Sequence, residues 1–199
     1  MTDLSRESDE DLLRLSSAGN EEAFTCLYRR RHASVYRFAL HMSGRPDLAE
    51  EVTQDVFLQL IRDPGCYDAS KGVLSSFLIG VARNCVLRHF ERDRRHVYVD
   101  DASEFDPEAE GCDILADLTR EQAINAIRKA VLTLPASYRE VIVLCDLEEL
   151  PYAGAAEIIG VPVGTVRSRL NRGRAMLMEK LRSSRKLEAS SAAGGRYSV

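Results

Sequence analysis

Between Tyr152 and Leu181 the chain carries guanidiniums, amides and hydroxyls at spacings suited to reading the edges of nucleic-acid bases. On a wheel of about 100° per residue, Ser168, Asn171 and Arg172 point one way, with Arg167 and Arg174 on one flank and Arg169 on the other. Val166, Leu170, Leu177 and Leu181 share the opposite face, and Gly173 beside them permits close packing. A groove-reading helix needs this split: one side is buried to fix its orientation, while the other offers bidentate donors to bases and phosphates. Other residues suggest different chemistry. Cys85 and His89 lie one helical turn apart and could give two metal ligands, but structural zinc takes about four and no second pair is suitably placed. Glu50, Glu51 and Asp55 could supply paired acids, yet on an amphipathic helix they read more simply as a solvated or partner-binding face. Ser70-Lys71-Gly72 lacks the spaced glycine and following hydroxyl of a phosphate loop. No catalytic residue, metal site or cofactor is assigned.

The elements that must position these groups read as helices throughout. Ser8 with Asp11 looks like an N-cap opening a short helix through Leu15, and Asn20 with Glu21 and Glu22 opens a second, broken by Gly44. Pro46 and Asp47 start a third, with Leu48, Val52, Val56 and Leu60 as its apolar stripe and Phe57 beside them. Asp63-Pro64-Gly65 ends it, and a fourth helix runs from about Val73 to Arg95. A second helical unit begins near Leu115. It comprises a helix to about Leu134, another from Ala136 to Leu147, and then a short helix, a Gly160-Val161-Pro162 turn and the arginine-bearing helix, in the order of a helix-turn-helix.

With 199 residues and 45% hydrophobic content, the chain can fill one ordinary domain or two small ones. No apolar run approaches the ~20 residues of a membrane span, and the acidic N-terminus lacks the regions of a signal peptide, so a cytoplasmic protein without membrane insertion is expected. Five cysteines, odd in number and widely scattered, argue against a disulfide framework. The net charge of −4 conceals segregation: eight acidic residues and no Lys or Arg lie between Val97 and Thr119, whereas eight basic residues lie between Val163 and Lys186 against Glu179 alone. The expected fold is all-α. Two small helical domains, 1–96 and 115–182, are joined by a flexible acidic linker, 97–114, and followed by a disordered tail, 183–199.

Both halves, in order, resemble the bacterial RNA polymerase sigma factors of the extracytoplasmic-function (ECF) group of the sigma-70 family. Asp47-Leu-Ala-Glu-Glu-Val-Thr-Gln-Asp-Val-Phe57, Gly80-Val-Ala-Arg-Asn84 and the basic end at Arg92 to Arg95 are similar to sigma domain 2. Leu134-Pro-Ala-Ser-Tyr-Arg-Glu-Val141 and Gly160-Val-Pro-Val-Gly-Thr-Val-Arg-Ser-Arg-Leu170 are similar to sigma domain 4. The resemblance implies a promoter-recognition subunit, not an enzyme, whose partners are core RNA polymerase (the β′ clamp and the β flap) and promoter DNA, with an anti-sigma factor as a further partner. It implies core contacts at Glu51, Gln54, Asp55 and Gln59, and minus-10 contacts at Lys71, Phe77, Arg83, Asn84, Arg88, Arg92 and Arg95. It implies minus-35 reading by Arg167, Ser168, Asn171 and Arg172, with Thr165 and Tyr152 near the DNA backbone.

The chain departs from the family pattern in two places. Relatives often carry Trp and basic residues along the start of the fourth helix, where this chain has Leu74-Ser-Ser-Phe-Leu-Ile-Gly80, and Gly154 and Ala155 replace bulkier residues in the first helix of the reading motif. Two other classes fit parts of the sequence. A stand-alone helix-turn-helix regulator makes residues 20–96 a sensor or dimerisation module, and a metal-dependent or redox enzyme rests on Cys85 and His89.

Overall fold

The computed structural model describes residues 4–97 and 120–194, with side chains over 4–93 and 124–183. The linker reading therefore falls, apart from Val97, outside the described residues, as do the side chain of Arg95 and positions 115–119. Among the described residues there is no strand. The helices are α1 (Asp9–Ser17), α2 (Glu21–Ser43), α3 (Pro46–Arg62), α4 (Leu74–Val97), α5 (Arg120–Leu132), α6 (Ala136–Ile142), α7 (Tyr152–Ile159) and α8 (Val163–Gly194), with short 3-10 turns at Leu4–Arg6, Pro64–Cys66 and Ala69–Lys71.

The helix ends follow from local chemistry. The Ser8 hydroxyl accepts from the Asp11 N–H at 3.0 Å, and Asn20 Oδ1 accepts from the Ala23 N–H at 3.0 Å, each satisfying an orphan donor of a first turn. Gly44 closes α2 in the left-handed region at φ 72, and Pro46 starts α3 where its missing N–H costs nothing. In the first unit, α1, α3 and α4 pack around α2. The expected stripe of Leu48, Val52, Val56 and Leu60, with Phe57, is buried against Leu27, Phe38 and Leu78. Asp9, itself buried, ties the N-terminus down: it accepts from Arg30 Nη1 at 2.9 Å and from Arg31, while Arg30 also donates to the Glu7 carbonyl at 2.8 Å.

In the second unit, α5, α6 and α7 pack on α8, burying Leu134, Val141, Ile142 and Leu144 with Ala155, Val166 and Leu170. The helix expected from Ala136 to Leu147 changes pitch part-way. After Ile142 it widens into a π-helical turn, Val143–Leu147, in which the Glu148 N–H reaches the Val143 carbonyl at 2.9 Å. Glu149 then takes φ 55 and Leu150 N–H donates to the Leu144 carbonyl at 2.9 Å, turning the chain into Pro151. The tail reading from 183 is corrected in one respect: the backbone stays helical through Gly194. Residues 183–193 contain no Pro or Gly but three Ala, four Ser and one each of Arg, Lys, Leu and Glu, so nothing in that run breaks the helix before the Gly194-Gly195 pair.

The two units are packed on each other, α2 against α5 and the π-turn, and α4 against α7. The Arg139 guanidinium from α6 donates to the Met42 carbonyl at the end of α2 at 2.7 Å, to the Leu134 carbonyl at 3.2 Å, and to the Leu132 carbonyl. Beside it, Leu132 fills the space a side chain at Gly44 would need: a Cβ there would stand 2.7 Å from Leu132 Cδ1. Gly44→Ala therefore combines about 1–2 kcal/mol of left-handed strain with displacement of Leu132. Gly19→Ala, at φ 92 with nothing within 4 Å, meets the strain alone. Urea denaturation should show a larger loss for the Gly44 variant.

Candidate nucleic-acid interface

The turn between α7 and α8 is made by Gly160 at φ 77, whose N–H caps the Ala156 carbonyl at 2.9 Å, and the Val161 N–H shares that acceptor at 3.1 Å. Pro162 then opens α8, its carbonyl accepting from the Thr165 N–H at 2.8 Å. The buried face of α8 is the predicted one. Val166 and Leu170 are 0% and 1% exposed, Leu177 and Leu181 are half-buried, and a Cβ at Gly173 would lie 3.2 Å from Ile142 Cγ1, so α8 crosses α6 closely there. Arg167, Ser168, Asn171 and Arg172 stand exposed on the other side, and Arg169 and Thr165 are half-buried. The Arg167 guanidinium carbon lies 6.0 Å from the Tyr152 ring centroid, a cation–π contact that orients this arginine from the preceding helix.

Arg174 belongs to a different class. Its Nε and Nη2 donate to the two Asp146 oxygens at 2.9 and 2.5 Å, and this pair holds its guanidinium pKa above the usual arginine range. The helical wheel places it on the basic flank, but it is engaged in anchoring α8 to the π-turn. No local signal reveals this, because Asp146 lies 28 residues away.

On the first unit, Glu51, Gln54, Asp55 and Gln59 are exposed along α3, with Leu58 and Ile61 exposed among them. A cleft between α3 and α4 is lined by Asp55, Leu58, Gln59, Arg62, Cys85 and Arg88. Arg88 Nη2 donates to Cys85 Sγ at 3.0 Å, while His89 Nε2 lies 3.8 Å from Glu51. Cys85 and His89 thus face different partners, and among the described residues no group of three His, Cys, Asp or Glu converges as a metal would need.

The residues expected to meet the minus-10 element whose side chains are described divide four ways. Asn84 and Arg92 are exposed, and Lys71, also exposed, lies 3.4 Å from Asp68. Arg88 sits in the α3 cleft beside Asp55 and Gln59 rather than with the others. Arg83 points at the second unit, where its Nε donates to the buried carboxylate of Glu140. Phe77 is half-buried, its ring 5.5 Å from Tyr67 and tilted by 56°.

Residues 27–96 match the family model described as Sigma-70 region 2, and residues 124–177 match Sigma-70, region 4. The chain is 32% identical over 179 residues to the ECF RNA polymerase sigma factor SigM of Mycobacterium tuberculosis, covering 87% of this chain and 85% of that protein. It is 29% identical over 178 residues to the ECF RNA polymerase sigma factor SigW of Bacillus subtilis, covering 82% and 91%. Its fold is similar to that of the sigma factor RpoE in complex with the anti-sigma factor NepR from Bartonella quintana, with TM-score 0.64, 24% identity, and 80% and 96% coverage. It is likewise similar to CnrH in complex with the cytosolic domain of CnrY, with TM-score 0.65, 22% identity, and 89% and 99% coverage.

The different positions of Arg172 and Arg174 give distinct stability outcomes. Arg174→Ala removes a half-exposed bidentate pair and should cost about 0.5–1 kcal/mol. Arg172→Ala, on the exposed face, should change stability by less than about 0.5 kcal/mol. Thermal melts of both variants check the contrast.

Proposed function

The chain belongs to the ECF group of RNA polymerase sigma factors, and from that membership we propose how its two units divide promoter recognition. As a sigma factor it directs core RNA polymerase to promoters; it is an initiation factor, and the polymerase does the chemistry. The second unit reads the minus-35 duplex. The observation that carries this is the two-sidedness of α8: Val166 and Leu170 are buried on α6 and α7, so Arg167, Ser168, Asn171 and Arg172 project as a fixed set. Arginine pairs with guanine O6 and N7, and asparagine with adenine N6 and N7, each pair giving about 1–3 kcal/mol of discrimination. Thr165 and Tyr152, at the start of α8 and α7, serve the phosphate backbone, and the Tyr152 ring also steers Arg167.

The first unit captures the minus-10 element. Lys71, Phe77, Asn84, Arg92 and Arg95, joined by Arg83 and Arg88, supply cations and an aromatic face along one helix and the loop before it. Bases leaving the stack are held by such groups, which offset the few kcal/mol of unstacking. Glu51, Gln54, Asp55 and Gln59 dock on the β′ clamp, their exposure along α3, which is packed on α2 and α4, supporting the assignment. The second unit engages the β flap. An anti-sigma factor is a further partner, since the exposed Leu58 and Ile61 beside these carboxylates offer apolar surface for one. Two modest contacts on one polymerase combine through effective concentration, with residues 97–114 as the tether. The working compartment is the cytoplasm.

Mixing the full chain with core polymerase and a matched promoter should give promoter-specific initiation. Tight sequence-specific binding by the chain alone, with no initiation when core is added, would favour a stand-alone regulator. Arg172→Ala should weaken minus-35 binding by about 1–3 kcal/mol and relax preference at one base pair. A uniform loss on every sequence would make Arg172 a phosphate contact instead.

A further inference from the structure

The loop that joins α3 to α4 is closed by one side chain. Tyr67 donates its hydroxyl to the Gly72 carbonyl at 2.9 Å, and the same oxygen lies 3.2 Å from Glu10 Oε1 on α1. A phenol has one proton and here two acceptors, so the carbonyl and the carboxylate share it. Burial and the Glu10 carboxylate push the Tyr67 pKa above its ordinary value, which keeps that proton in place. The Tyr67 ring, 5.5 Å from that of Phe77, packs on the aromatic residue of α4 assigned above to the minus-10 element. Glu10 also accepts from the Leu74 N–H at 3.4 Å, an orphan donor in the first turn of α4. One carboxylate of α1 thus meets both the residue that closes the loop and the helix that follows it.

Glu10 is itself fixed from behind. Asp9 beside it is buried and bonded to Arg30 and Arg31 of α2, and Arg30 also donates to the carbonyls of Ser5 at 2.9 Å and Glu7 at 2.8 Å. A line of polar contacts therefore runs from α2 through α1 to the loop. Inside the loop, Asp68 accepts from the Ser70 N–H at 3.0 Å and the Ser70 hydroxyl at 2.7 Å, and lies 3.4 Å from Lys71 Nζ. Residues 68 to 73 are all exposed, so side-chain hydrogen bonds, not apolar packing, give this stretch its shape. The start of α4 is secured separately. Leu74 and Leu78, 0% and 1% exposed, bury it in the core whether or not Tyr67 keeps its hydroxyl.

We propose that Glu10 and Tyr67 are positioning residues for promoter selection: together they fix the main chain from Asp68 to Val73 and the ring of Phe77, and so set which unstacked base the loop before α4 accepts. The proposal rests on the minus-10 reading of this loop and α4 given above. Hydrogen bonds to a base edge weaken steeply away from their best distance and angle, and a site discriminates when its groups are held to within about 0.5 Å. Neither residue needs to touch the base. Through them α1, which carries no residue assigned to DNA or polymerase, takes part in recognition.

Glu10→Ala and Tyr67→Phe, made singly and together in the full chain, are compared with the unvaried chain on promoters randomised across the minus-10 element and transcribed with core polymerase. Each single variant should change the relative use of bases at the same minus-10 position by about threefold or more, as loss of one hydrogen bond to a base edge would. The double variant should go no further than the stronger single one, because the two residues act as a unit. Affinity for core polymerase and for a minus-35 duplex should stay unchanged. An unaltered base profile, a uniform fall in initiation on every sequence, or shifts at different positions in the two single variants overturns the proposal; the uniform fall would make the pair a fold contact alone. If the unvaried chain initiates without any preference within the minus-10 element, the minus-10 reading fails instead. Amide exchange then decides whether α1 holds the loop: the Leu74 N–H should exchange about fivefold faster in Glu10→Ala, and unchanged exchange there overturns the proposal as well.

Discussion

Three main-chain carbonyls converge on one guanidinium. Met42 lies in the last turn of α2, Leu132 is the last residue of α5 and Leu134 lies in the turn just beyond it, and the last carbonyls of a helix have no partner within it and carry the negative end of its dipole. Arg139 satisfies all three from α6 with no carboxylate nearby in its hydrogen-bond set, and desolvation alone lowers its pKa. A lysine could not span three acceptors set in different directions with the same rigidity, because only the guanidinium presents a planar fork. Through this contact, α5 and α6 take a fixed angle to each other and to α2. The helix that carries Arg139 is also the one that α8 crosses at Gly173, so α6 connects α8 to the end of α2.

The arginines of this chain fall into two populations that composition cannot separate. Arg30, Arg31, Arg83, Arg139 and Arg174 are committed to carboxylates or carbonyls inside the protein. Arg92, Arg167 and Arg172 are exposed on their helices. A basic run of eight residues thus overstates the charge available to DNA, since Arg174 within it is paired with Asp146. Nucleic-acid affinity depends on the second population, since only groups able to displace counterions contribute.

Short-range chemistry was readable before any coordinates. Ser8, Asn20, Gly44, Pro46 and Gly160 each act within one helical turn, so their types announce the helix ends they make, and the stripes on α3 and α8 show the helical period directly. The motifs around Asp47 and Gly160 likewise carried the family. What escaped were partnerships across long chain separations: Arg83 with Glu140 is 57 residues apart, and Ser34 with Glu148 is 114. No periodicity encodes these. The π-turn escaped for another reason, since Val143–Leu147 has ordinary helical composition, while the contacts made by Asp146 and Glu148 lie far along the chain. The two departures from the family pattern, at Ser76 to Gly80 and at Gly154, looked separate in sequence and meet in space.

The π-turn does one more thing. A single-turn widening carries one residue more than the α-helix it interrupts, and each residue of an α-helix advances its side chain by about 100°. Asp146, which grips α8, and Glu148, which grips α2, both lie on or just beyond that extra residue. Their two targets are therefore geared together: a deletion that restored regular pitch would swing both carboxylates away from their partners at once, so the pitch of this turn sets the hold on α8 and the hold on the other half of the molecule together.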